Sequence, residues 1–149
     1  MASTLSEQIF DSDVSVVRLR DFLNDCVGSA ACEEGDRIRE AGLLLQRAAI
    51  AGCGSPDIGA IETMLSCGAA ESAVLAILDP DLAFMLSRGV GGYCLATVVV
   101  EDGSEEIMSE GATVSLALLA AYVSLLLARL ERVRAEAIRI TVPRSARVH

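Results

Sequence analysis

The chain of 149 residues has no lysine, no tryptophan and one histidine, His149 at its last position, and only 3% of its residues are aromatic. Each absence removes a chemistry. Without lysine there is neither a Schiff-base amine nor a phosphate-loop ammonium. Without an internal histidine the commonest general base is missing, together with most nitrogen-ligated metal sites and the usual activator of a serine or cysteine nucleophile. Acids are plentiful, yet no spacing singles out a pair for acid–base work. The expectation is a protein that is not an enzyme and binds no cofactor or metal.

What is present favours one folded domain over 1–149. At 52% hydrophobic, the chain can fill a real core, which excludes a disordered chain and a disulfide-stapled miniature. Five cysteines, Cys26, Cys32, Cys53, Cys67 and Cys94, are odd in number, irregular in spacing and free of any Cys-x-x-Cys pair. They read as small core residues held reduced in a cytoplasm. The first 14 residues carry acids and no basic stretch ahead of an apolar run, which is not the pattern of a secretory signal.

The formal charge of −9 is unevenly spread. Residues 1–128 hold six arginines against nineteen acids, whereas 129–149 hold six arginines against two. A body that negative repels phosphate backbones, so no nucleic-acid partner is expected. The arginines of the end are spread rather than packed, as on a solvated helix.

Local signals divide the chain. Thr4 and Glu7 match a capping box, and the polar residues Asp11-Ser12-Asp13 predict a stop soon after. A second helix is expected over 14–27, with Val16, Leu19, Leu23 and Cys26 on one face and Gly28 as its end. A third covers 33–51, striped by Ile38, Ala41, Leu45, Ala48 and Ala49, and ends at Gly52-Cys53-Gly54. Ser55 and Pro56 open a short helix whose inner face is Ile58, Ile61, Met64 and Leu65. Another runs over 70–78 with Val74, Leu75 and Leu78 inward, and Asp79-Pro80-Asp81 breaks it.

From Gly89 the periodicity changes. The run Gly89-Val90-Gly91-Gly92 precedes a strand instead of linking strand to helix, so it reads as a turn and not as a dinucleotide loop. Residues 93–101 and 105–109 flank Asp102-Gly103, a hairpin signal, and the acidic second strand suits an exposed edge. Glu101, Asp102, Glu105 and Glu106 gather at this hairpin as solvated charge. Asp11-Ser12-Asp13 starts like a calcium loop, but Val16 and Phe22 stand where its glycine and closing acid belong.

The last element carries most information. Leu116, Leu119, Val123, Leu126, Leu130, Val133, Ala137 and Ile140 follow at alternating steps of three and four before Pro143. Ala117, Ala121, Ser124 and Ala128 form a second, small-residue face that admits a close neighbour. Residues 111–128 contain no charge, long enough for a marginal membrane span, but the apolar line runs on into a charged amphipathic helix, as a core helix would.

Over 55–131 the order of elements, with Pro56-Asp57-Ile58-Gly59-Ala60-Ile61, Glu71-Ser72-Ala73-Val74-Leu75-Ala76-Ile77-Leu78-Asp79-Pro80, Asp102-Gly103-Ser104 and Gly111-Ala112-Thr113 ahead of an Ala/Leu helix, resembles the phage ABA sandwich domains of prophage-type genes. The tryptophan that such proteins often have before the hairpin is absent from this chain, which has Phe84 and Tyr93 nearby instead. The resemblance implies an α-β-α layering and supplies no activity. With the helices read over the first 54 residues, which have no counterpart in that family, and the arginines of the end, the expected organisation is a helical extension over 1–54, an α-β-α sandwich-like core over 55–140 and a basic tail over 141–149. Thr113 would cap the long helix.

The fold expectation is therefore α+β: a helix-rich N-terminal half, a small antiparallel sheet and a long C-terminal helix. The functional expectation is a cytoplasmic, phage-like accessory protein acting through contacts with an unidentified protein partner and forming a homodimer. Leu126, Leu130, Val133 and Ile140 are the expected interface, because they extend past what a domain of this size covers. The alternatives are a chain anchored in a membrane through 111–128 and a carboxylate-based small-ligand binder or enzyme.

Overall fold

A computed structural model describes residues 2–48, 54–100, 103 and 105–141. The order is α1 (Ala2–Gly28), a 3-10 turn (Ala31–Glu33), α2 (Glu34–Ala48), α3 (Ile58–Ser66), α4 (Ala70–Ile77), β1 (Ala83–Arg88), β2 (Cys94–Val99), β3 (Glu106–Gly111) and α5 (Val114–Thr141). The class is α+β with a long C-terminal helix, as the periodicities predict. The helix stop at Gly52-Cys53, the acids Glu101 and Asp102, Pro143 and the basic tail lie outside the described residues.

Helix α1 is continuous through Asp11-Ser12-Asp13, where the sequence predicts a break, and it begins before Thr4. Tertiary packing overrides the local polar signal: α1 lies along α5, and Val16, Leu19, Phe22 and Cys26 are buried against it. Helix α3 is capped by Asp57, whose carboxylate accepts from the Ala60 N–H at 3.1 Å, rather than by Ser55. In α4 the inward residues are Ala73, Val74 and Ile77, with Leu78 just beyond, whereas Leu75 is half exposed.

The sheet is antiparallel in the order β1-β2-β3. Its first strand carries no alternation of polar and apolar residues. The glycine run forms the turn between β1 and β2, with Gly91 and Gly92 in the left-handed region at φ 90° and 86°. In β2, Cys94, Ala96 and Val98 are buried, while Leu95, Thr97 and Val99 are only half-buried. The pairing register puts Met85, Met108, Glu106 and Glu110 on the second face, all exposed. The expected α-β-α order is thus corrected: the described helices cover one face of the sheet and leave the other open.

Helix α5 returns over that covered face. From Ser115 to Leu127 every residue except Ser124 is buried, because α1, α2, α4, β2 and β3 surround it. A helix apolar around its whole circumference needs such a lining. At its start Thr113 accepts the Leu116 N–H at 3.1 Å and donates to Glu34 at 2.8 Å, so the capping residue also ties α5 to α2.

Candidate functional site

The four expected interface residues part company along α5. Leu126 is fully buried at 0% exposure, so its assignment to an interface is corrected to the domain core. Leu130 is half-buried and packs on that core. Val133 and Ile140 are 63% and 84% exposed.

The reason is length. Six-residue strands extend about 20 Å, and Leu126 stands about 18 Å along the helix from Val114, still over the sheet. Val133 and Ile140 stand about 28 and 39 Å along, beyond it. Among described residues the far half of α5 is accompanied by α1: Arg20 pairs with Glu131 at 2.6 Å and Arg134 with Asp13 at 3.2 Å. Arg132 reaches Glu105 at 3.1 Å, beside the hairpin. Arginines of the basic end therefore neutralise acids of the body, a use that counting charges along the chain does not reveal. Each exposed pair contributes little, about 0–1 kcal/mol.

Helix α5 is long and apolar enough to cross a membrane by length and composition, but 67% of its most apolar stretch is buried inside the domain. No group of three or more His, Cys, Asp or Glu that could hold a metal ion occurs among the described residues.

The cysteines divide by burial. Cys32 and Cys67 are exposed, and Cys26 and Cys94 are buried. Burial pushes the Cys26 thiol up to about 12, partly opposed by the Arg37 guanidinium. Its S–H faces the carbonyl of Leu116 at 3.5 Å. A thiol reagent at about pH 8 is expected to label Cys32 and Cys67 in the folded protein and to reach Cys26 and Cys94 only in denaturant, as read site by site by peptide mass spectrometry, Cys53 lying outside the described residues. Because folding favours the protonated thiol, this contribution to stability is complete below pH 9.0 and is lost as pH rises toward about 12.

Two further surfaces escaped sequence reasoning. One is the open sheet face with Met85 and Met108. The other is strand β1, all six residues of which are exposed. Beside it runs a small solvent-open groove, walled by Val74 and Leu75 of α4, Phe84 and Leu86 of β1, and Leu118 of α5, with the exposed Glu71 among its walls. A contiguous apolar run flanked by a turn is the signal that could have identified this strand. No protein-family model, curated protein or solved structure matches this chain.

Proposed function

We propose that this protein is a small, cytoplasmic, phage-like accessory protein that works through protein–protein contacts and self-associates through the far end of α5. The observation that carries the reading is the pair Val133 and Ile140, one heptad apart and exposed on the helix end that the sheet does not reach. Burying an apolar side chain of this size stabilises by about 1.5–3 kcal/mol, which favours a second copy covering both. The phage-type setting rests on the resemblance over 55–131. Packing of the 111–128 stretch inside the domain supports a core helix over a membrane anchor. The acids paired with Arg20, Arg132 and Arg134 form surface ion pairs, which supports contact over catalysis.

Light scattering on a column at micromolar concentration tests the reading. The expected mass exceeds the 15.6 kDa of one chain. Val133→Glu with Ile140→Glu lowers that mass and leaves the far-UV circular dichroism unchanged. Equal masses for the two proteins would overturn it.

A further inference from the structure

The backbone of β1 faces two ways. Its register places Gly89 opposite Tyr93, and the Gly89 N–H donates to the Tyr93 carbonyl at 2.8 Å. Antiparallel pairs alternate between bonded and unbonded, so Ala83, Met85 and Ser87 direct their N–H and C=O groups to β2. Phe84, Leu86 and Arg88 direct theirs outward, along the edge of the sheet. Those three residues also carry their side chains on the helix-covered face, opposite Val98, Ala96 and Cys94. The outward backbone groups thus run beside the groove walled by Phe84 and Leu86.

This edge lacks two of the devices that keep edge strands from pairing. Within β1 there is no proline and no lysine, and the one charge, Arg88, stands at its end. Neither Arg88 nor Glu71 of the groove forms an ion pair with a described residue.

We propose that β1 pairs antiparallel with β1 of a second copy, centred on Leu86, to make one continuous sheet of both molecules. The edge is self-complementary in this register. Leu86 falls opposite Leu86 of the second copy, and Phe84 falls opposite its Arg88. All the outward groups then meet outward groups, giving up to about six backbone hydrogen bonds. Directly opposite residues share a face, so Arg88 of the second copy enters beside Phe84, where Glu71 supplies the opposite charge and the ring a face for the guanidinium. The two leucines close over the apolar groove. The contact is separate from the α5 end. Two distinct two-fold contacts on one chain build assemblies larger than a dimer.

Amide hydrogen exchange, resolved by residue at low and high protein concentration, tests this pairing directly. The expected result is that Phe84, Leu86 and Arg88 exchange roughly tenfold or more slowly at high concentration, while Met85 and Ser87 are protected at both. Leu86→Pro removes an N–H that β2 does not use, so the single molecule keeps its fold and the concentration dependence disappears. Leu86→Lys, which retains the N–H, abolishes it through charge. The Val133→Glu, Ile140→Glu protein keeps the β1 protection even where its mass falls, which separates this contact from the helix-end reading. Outward amides of the wild-type chain that exchange as open amides at every concentration would overturn the proposal, as would variants that keep the wild-type dependence.

Discussion

Leu126→Glu is expected to abolish the folded state, whereas Ile140→Glu, two heptads further along the same apolar line, leaves it intact. Leu126 is fully enclosed, so the substituted carboxylate meets no water and no partner. Burial of an unpaired charge is among the most destabilising changes a core can suffer. The milder Leu126→Ala removes the side chain and leaves a cavity, at about 3 kcal/mol within a usual range of 2–5. Against a net stability of about 5–15 kcal/mol this variant still folds, with a melting temperature lower by roughly 10 °C. Ile140 is 84% exposed in the single chain, so a charge there stays in water once the helix ends of two copies separate. Urea titration of the three proteins, followed by circular dichroism, separates these outcomes. Similar midpoints for Leu126→Glu and wild type would remove Leu126 from the core.

Gly111→Ala is the second large effect, and its origin is space rather than backbone conformation. Gly111 ends β3, where the first turn of α5 crosses it. A Cβ placed there would lie 2.6 Å from the Ala117 nitrogen, 3.0 Å from the Leu116 carbonyl carbon and 3.1 Å from the Ala117 Cα. All three atoms belong to the helix backbone, so no side chain can rotate away. The helix must lift off the strand, and the expected loss is about 3 kcal/mol, at the upper end for overpacking. Gly42 in α2 is the control. A Cβ there meets only the Cδ1 atoms of Ile61 at 3.1 Å and Ile58 at 3.2 Å, the far ends of flexible side chains. Gly42→Ala also gains up to about 1 kcal/mol of helix propensity, so its midpoint should stay near that of wild type. A reversed order of the two glycine variants in thermal unfolding would show that β3 and α5 are not packed this closely.

The two substitutions bear on how much of the molecule is legible in its sequence. The periodicities of Val16, Leu19 and Cys26, of Ile38, Ala41 and Leu45, and of Leu116 through Leu126 identify faces that are buried in the structure. Those signals are local, set by 3.6 residues per turn. Thr113 is legible as a cap for the same reason, because its hydroxyl meets the Leu116 N–H three residues on. The polar residues at 11–13 mislead because α5, more than a hundred residues away in sequence, supplies Arg134 to Asp13, and α1 runs unbroken past them. Strand β1 is hard to read because it is an exposed edge, where neither face is pressed into polar and apolar alternation. Its pairing with β2 makes it a strand.

The candidate surfaces show the same division. An unbroken heptad line places Leu126, Leu130, Val133 and Ile140 in one class, since nothing in their spacing distinguishes them. Their burial depends on where a sheet built from 83–111 comes to an end beneath the helix, and that is a property of the assembled domain.

Composition and short-range periodicity are carried by neighbouring residues, and they suffice for the α+β class, the single long C-terminal helix and the absence of lysine-based and internal-histidine chemistry. Which half of that helix is core and which is surface follows from the tertiary structure alone, as do the sheet face that the described helices leave open and the edge of β1 that no described strand pairs. Burial is a relation between residues far apart in the chain. It is settled by the lengths and crossings of the elements, which no local pattern records.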